Sequence, residues 1–224
     1  VVAALHRGGR SLSRAGPGHR AEHQPAAGAH RRPTMNDVQQ PLYDLAPLLR
    51  LMLLGAIASA GNLYMILTAL VFDASPSRDA GDAALYIGLV AGWEVPFMLL
   101  LPLITHHIRR ATLIAAGTLI YCSHLALMPL LTESAWLWLL PLLAGIGGTA
   151  ILTLPIAYYQ DLLIGRPGTA GAMIALQRLC AELLAAAAFV VGVSFGGYAL
   201  TAIVGAAIAI SAAAALLWAD RHRA

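Results

Sequence analysis

The stretch at residues 152–184, LTLPIAYYQDLLIGRPGTAGAMIALQRLCAELL, decides the fold class of this chain. An apolar segment ends in polar residues, breaks at the Gly-Arg-Pro-Gly sequence of residues 165–168, and restarts as a second apolar segment that contains Gln177, Arg178 and Glu182. A charged side chain at the middle of a membrane helix costs about 2.5 to 3.5 kcal/mol on insertion scales, so such residues mark functional sites. The pattern predicts two membrane helices joined by a short basic connection.

The composition of the whole chain is typical of a polytopic membrane protein. Of its 224 residues, 59% are hydrophobic and only 11% are charged, which is too little charge for a water-facing globular surface. Residues 1–34 hold six Arg and one Glu, whereas the rest of the chain holds eight Arg and ten acidic residues. Because the later basic residues are scattered and form no patch, we expect no nucleic-acid partner.

Four regions follow from the distribution of apolar residues. Residues 1–34 are rich in Arg, His, Gly and Pro and are predicted to be a disordered tail. Met35 resembles a natural N-terminus, which would make this tail a non-native extension. We assign residues 35–47 to a polar lead-in, residues 48–218 to a transmembrane bundle and residues 219–224 to a cytoplasmic C-terminus.

The bundle is predicted to be all-α, with six transmembrane helices. Each apolar segment is near the roughly 20 residues that cross about 30 Å of hydrocarbon. The segments cover residues 48–72, 83–104, 111–131, 135–159, 169–193 and 198–218.

The orientation of the bundle follows from its arginines. Arg109 and Arg110 follow the second segment, Arg166 follows the fourth, and Arg221 and Arg223 lie at the C-terminus. The positive-inside rule then places both termini in the cytoplasm. We therefore expect a multi-pass protein of the cell inner (plasma) membrane.

Several polar residues lie near the predicted middle of the membrane. Asn62, Glu94, Arg178 and Glu182 are roughly 13 to 21 Å into their segments at 1.5 Å per residue. Arg178 and Glu182 are four residues apart, so they share a helix face and are predicted to pair. Two interpretations are open. The pair is a structural contact between helices, or it lines a path for a solute or protons together with Asn62, Glu94 and Gln177.

Glu94 has no partner within its own helix. A lone carboxyl group inside a membrane is suited to proton coupling. The alternative is a neutral acid hydrogen-bonded to a carbonyl group that Pro96 leaves free. His124 is interpreted as a packed core histidine, and Cys122 and Cys180 as small hydrophobic residues.

One short motif is typical of serine hydrolases, but it lies between predicted membrane helices, where such a motif is not expected. The sequence GVSFG at residues 192–196 matches G-x-S-x-G, a motif that needs a turn from a strand into a helix. Here the serine is predicted to lie in a tight turn between two membrane helices, and His222 lies at the opposite face. We therefore predict that the chain is not an enzyme, and we assign no metal site and no cofactor.

Four short motifs carry a resemblance to a known family. They are NLY at residues 62–64, GWEVPFML at residues 92–99, YYQDL at residues 158–162 and GRPGTA at residues 165–170. Over about residues 48–218 the chain resembles the C-terminal six-helix half of a sugar efflux transporter of the major facilitator superfamily, and Arg178 stands where the family has an arginine in the corresponding span. The loop at residues 102–110 departs from the superfamily pattern, because it keeps only the basic end.

The resemblance implies proton-linked efflux of sugars or similar small polar solutes by alternating access. It also implies a cytoplasmic gate formed by Asp161, Arg166, Arg109 and Arg110. The family has twelve spans in two halves, so a second six-helix half is expected as a separate chain or a second copy, unless the chain is a truncated product. The alternative is an inactive half-transporter or membrane scaffold with structural buried charges.

Overall fold

The computed structural model describes residues 45–163 and 167–222, and every regular element in these ranges is a helix. The α-helices are α1 (Leu45–Asp73), α2 (Ala80–Thr105), α3 (Arg110–Leu131), α4 (Leu140–Leu162) and α5 (Pro167–Arg221), and a short 3₁₀ helix (Ala135–Leu139) precedes α4. The prediction of an all-α protein is confirmed. The predicted tail, most of the polar lead-in, Arg166 and Arg223 lie outside the described residues.

Five helices in the described part of the chain are long and apolar enough to cross a membrane. The first four predicted segments correspond to α1, α2, α3 and the unit formed by the 3₁₀ helix with α4. The fifth and sixth predicted segments both lie in α5, which is 55 residues long. The predicted count of six separate helices is therefore not confirmed.

Two glycines interrupt α5. Gly196 has φ −165° and ψ 17°, and Gly197 has φ 70° and ψ −158°, a left-handed φ that glycine adopts at little cost. In a straight helix Gly192 and Thr201 would be about 13.5 Å apart. A Cβ atom built on Gly192 would instead overlap Thr201, so the chain reverses direction at the two glycines. The two limbs of α5 are residues 167–195 and residues 198–221.

Glycines bring α4 into close contact with its neighbours. A Cβ atom on Gly145 would lie 2.5 Å from Cβ of Trp93 on α2, and one on Gly147 would lie 2.6 Å from the carbonyl oxygen of Gly117 on α3. No side chain fits at either position without a shift of the neighbouring helix. These glycines therefore permit close helix packing.

Not every glycine or proline of the helices has a role in packing or kinking. A Cβ atom on Gly88 or Gly92 would meet nothing within 4 Å, because this side of α2 is exposed. Pro141 does not interrupt a helix either, since it lies in the first turn of α4, where its missing N–H donor is not needed. Pro96 and Pro155, in contrast, lie inside α2 and α4.

A cluster of rings fills the space between α1, α2 and α3. His124 is fully buried, and its Nε2 atom lies 2.9 Å from the hydroxyl oxygen of Tyr86. The rings of Tyr64 and Tyr121 pack edge-on against the same imidazole, at centroid distances of 5.2 and 5.5 Å. These contacts confirm that His124 is a packed core residue. The two cysteines, Cys122 and Cys180, are free.

The loops that follow α1 and α3 are tied to each other. Glu133 accepts hydrogen bonds from the hydroxyl groups of Ser75 and Ser77, and Arg78 donates from Nε to the carbonyl oxygen of Thr132 at 2.9 Å. Hydrogen bonds to a carboxylate stabilise its charged form. The two serines therefore lower the pKa of Glu133 below its ordinary value.

Candidate functional site

Four of the five residues predicted for the solute or proton path line one cavity, which we call the polar cavity. It has a volume of about 260 Å³, and its lining residues come from α1, α4 and the first limb of α5. Its polar lining residues are Asn62, Gln177, Arg178 and Glu182. Two amides, one cation and one carboxylate thus line one space between apolar helices.

Gln177 lines this cavity and has a buried hydrogen-bond acceptor without a partner in the described part of the chain. The residue is 7% exposed, and its Oε1 atom has no donor among the described residues. A buried polar atom without a partner costs about 1 to 3 kcal/mol. A hydroxyl group of a solute in the polar cavity would supply the missing donor.

The predicted pairing of Arg178 with Glu182 is wrong. Both residues are exposed, and the described residues contain one ion pair within 4 Å, which joins Arg110 to Asp161. An exposed ion pair gains about 0 to 1 kcal/mol, which scarcely offsets the cost of ordering two long side chains. Each charge therefore stays available to another partner.

Glu94 lies in a second cavity, which we call the Glu94 cavity. It has a volume of about 290 Å³, and its lining residues come from α1, α2, α3 and α4. Gly61, Ile151 and Leu152 line both cavities, so the two spaces are neighbours. The residues predicted for one path thus line two neighbouring cavities, and Glu94 is separated from the other four.

The carboxyl group of Glu94 is partly buried and receives no hydrogen bond from the described part of the chain. Its Oε1 atom lies 2.7 Å from the position of a Cβ atom built on Gly148, so the glycine leaves the space that the carboxyl group fills. The backbone carbonyl of Glu94 accepts a hydrogen bond from Oγ1 of Thr149 at 3.2 Å. The alternative in which the carboxyl group bonds to a carbonyl freed by Pro96 is not observed.

Two tyrosines of the Glu94 cavity were not selected from the sequence. Tyr64 and Tyr121 both line this cavity, and each is 4% exposed. A tyrosine in an apolar segment is more often a packing residue, so its residue type alone does not distinguish it. Depth is a usable signal, because Tyr64, Glu94 and Tyr121 all lie near the middle of their predicted segments.

Residues predicted for the cytoplasmic gate meet at one end of the bundle. Arg110 forms an ion pair with Asp161 and donates from Nη1 to the carbonyl oxygen of Ala157 at 2.9 Å. Arg109 lines a cavity of about 240 Å³ together with Arg110 and Asp161. These contacts join the start of α3 to the end of α4. Arg166 lies outside the described residues.

The structure also bears on a metal site and on the serine-hydrolase motif. They contain no group of three or more His, Cys, Asp or Glu residues that could hold a metal ion. The prediction that Ser194 lies in a tight turn is wrong, because Ser194 is inside the first limb of α5 and donates to the carbonyl oxygen of Val190 at 2.7 Å. Such a bond to the fourth preceding residue is typical of serine within a helix.

Comparisons of the chain with protein-family models, with curated proteins and with solved structures found no match. The resemblance to sugar efflux transporters therefore stays a prediction from the four motifs. What the described residues establish is an all-helical protein with five helices that could cross a membrane.

Proposed function

We propose that this chain is a membrane transporter of the major facilitator type, or half of one, that moves small polar solutes such as sugars by alternating access. The polar cavity carries the proposal, because Asn62, Gln177, Arg178 and Glu182 converge on one space inside apolar helices. Amide and charged groups at that depth are costly, so they are found mainly where they serve a solute or an ion. Hydroxyl groups of a sugar can donate to Gln177 and Glu182 and accept from Arg178.

The proposed topology has six membrane crossings and both termini in the cytoplasm. Support for the sixth crossing comes from the reversal at Gly196 and Gly197, which leaves limbs of 29 and 24 residues in α5. Each limb exceeds the roughly 20 residues that a membrane crossing needs. The positions of Arg109 and Arg110 support the orientation.

In this proposal Glu94 carries the coupling proton. Its carboxyl group has no partner in the described residues, and its cavity shares a wall with the polar cavity. A change in the charge of Glu94 would therefore occur beside the proposed solute site.

A second six-helix half completes the proposed transporter. Arg178 and Glu182 are exposed in the middle of an apolar limb, and only 6% of the most apolar stretch of α2 is buried. Lipid can cover the apolar face of α2, but it solvates charged groups poorly. We therefore place the second half against the face that carries Arg178 and Glu182.

Efflux of radiolabelled glucose and lactose from proteoliposomes, across an imposed pH gradient, tests this proposal. The wild-type chain, with its second half supplied, should release at least one of the two sugars faster when the gradient is present. Gln177→Leu should abolish release because it removes the buried acceptor. Glu94→Gln should abolish the dependence on the gradient because an amide exchanges no proton at this site.

The matched control is Ser123→Ala, since Ser123 is exposed and its hydroxyl group donates only within α3, to the carbonyl oxygen of Leu119. Its efflux should equal that of the wild type. Efflux no faster than from empty liposomes would remove the support for sugar transport, and gradient-dependent efflux by Glu94→Gln would exclude Glu94 as the proton carrier.

A further inference from the structure

We propose that the Glu94 cavity binds a hydrophobic organic cation, such as a quaternary ammonium ion with an aromatic substituent. The cavity is separate from the polar cavity, and cation binding there does not depend on sugar transport. The proposal follows from three properties of the cavity: its charge, its rings and its opening.

The charge of the cavity is a single carboxylate. Glu94 is the one ionisable carboxyl group among its lining residues, and none of them is Arg, Lys or His. No described residue gives the carboxyl group a hydrogen bond or an ion pair. A charged group in apolar surroundings is costly until a partner of opposite charge offsets it. A cationic ligand would be that partner.

The rings of the cavity suit a cation that carries no N–H donor. Tyr64 and Tyr121 stand edge to face, with their centroids 6.1 Å apart, and both line the cavity. Aromatic faces attract quaternary ammonium ions through their quadrupole. The remaining lining is mainly apolar, including Met65, Ile87 and Val90, and would contact the hydrophobic part of the ligand.

The cavity opens at the surface of the bundle. Met65 and Leu152 on its lining are 54% and 53% exposed, so the space is reached from outside the bundle. The volume of about 290 Å³ suits a small ligand of this kind. The neighbouring polar cavity is a poorer site for it, because Arg178 there offsets the negative charge of Glu182.

Binding of benzyltrimethylammonium to the purified full chain in detergent, measured by isothermal titration calorimetry, tests the inference. Glu94→Gln should weaken binding by about tenfold or more, because the ionic partner is lost. Benzenesulfonate has a similar ring and the opposite charge, so it should not bind. Asp73→Asn, which neutralises an exposed carboxylate at the end of α1, should bind the cation as the wild type does.

Equal affinity of the wild type and Glu94→Gln for the cation, or binding of benzenesulfonate as tight as that of the cation, would overturn the inference.

If Glu94→Gln does not fold, a Met65→Cys variant that retains Glu94 provides a second measurement. The cation should slow modification of Cys at position 65 by a maleimide, located by mass spectrometry, and unchanged modification would equally overturn the inference. Cation binding without sugar efflux would refute only the proposed transport function, whereas efflux without cation binding would refute only this inference.

Discussion

Arg178 and Glu182 line one cavity but do not form an ion pair, so removing either charge should have little effect on stability. Arg178→Leu and Glu182→Leu should each change the free energy of unfolding by less than about 1 kcal/mol, because neither strands a buried charge. The double variant should show the sum of the two effects within about 0.5 kcal/mol. Thermal unfolding in detergent measures the stability, and titration with the transported sugar should show weaker binding for all three variants.

A different result would favour the interpretation that these two charges form a structural contact between helices. Single variants destabilised by about 3 to 5 kcal/mol, with recovery in the double variant, are typical of a buried ion pair. Unchanged sugar binding in the double variant would remove both residues from the proposed site.

The sequence predicted the polar lining well and the Glu94 cavity poorly, for a physical reason. Arg178, Glu182 and Gln177 stand out because polar groups in an apolar segment are costly. Tyr121 and Gly148 carry no such cost, and their importance depends on which helices meet. Helix neighbours, unlike helix lengths, cannot be derived from periodicity when the segments are apolar on every side.

The packing of α4 against α3 makes Gly147 a sensitive position. Gly147→Ala should destabilise the protein by about 1 to 3 kcal/mol, because the new methyl group overpacks the contact. It would lie within 2.6 to 2.8 Å of the carbonyl oxygen of Gly117 and of two atoms of Tyr121. Thermal unfolding in detergent is the measurement.

The same substitution at Gly92 is the matched control. Gly92 is also helical, but a Cβ atom there meets nothing within 4 Å. Gly92→Ala should stabilise the protein slightly, by up to about 1 kcal/mol, through higher helix propensity. Equal destabilisation by both substitutions would show that close packing is not what requires Gly147.

The contact between the two loops should make stability depend on pH. Because hydrogen bonds lower the pKa of Glu133 in the folded protein, its contribution is present above the ordinary value of 4.5 and is lost as the pH falls through the folded value. The wild type should therefore unfold at a higher temperature than Glu133→Gln at about pH 7, and the difference should close in acid.

Ser77→Ala removes one of the two donors and should give part of the same effect. The unfolding temperatures of the three proteins, followed by tryptophan fluorescence between about pH 7 and pH 3, test this prediction. A difference between the wild type and Glu133→Gln that grows in acid would contradict the assigned hydrogen bonds.

The helices themselves were predictable because membrane thickness fixes their length. The predicted segment at residues 111–131 differs from α3, Arg110–Leu131, by one residue. The predicted connection at residues 194–197 contains the reversal in α5, but it begins two residues early, because GVSFGG offers several residues suited to a turn. Only the backbone angles identify Gly196 and Gly197 as the break.

The topology of the whole molecule is testable by cysteine labelling. In intact cells, a membrane-impermeant maleimide should label a cysteine at Asp79, which lies in the loop between α1 and α2. It should label a cysteine at His106 only after permeabilisation, because the arginines beside His106 favour the cytoplasmic face. Labelling in the opposite order would invert the proposed orientation.

Gly61, Ile151 and Leu152 line both cavities, so a ligand in one cavity should change the affinity of the other cavity for its own ligand. A ligand that displaces Leu152 from one side takes volume from the other side, so two occupants would influence each other through these residues. Linkage requires that the factor by which a bound sugar changes the dissociation constant of the cation equals the factor by which the cation changes that of the sugar. Titrating each ligand with and without the other would therefore measure one coupling free energy twice.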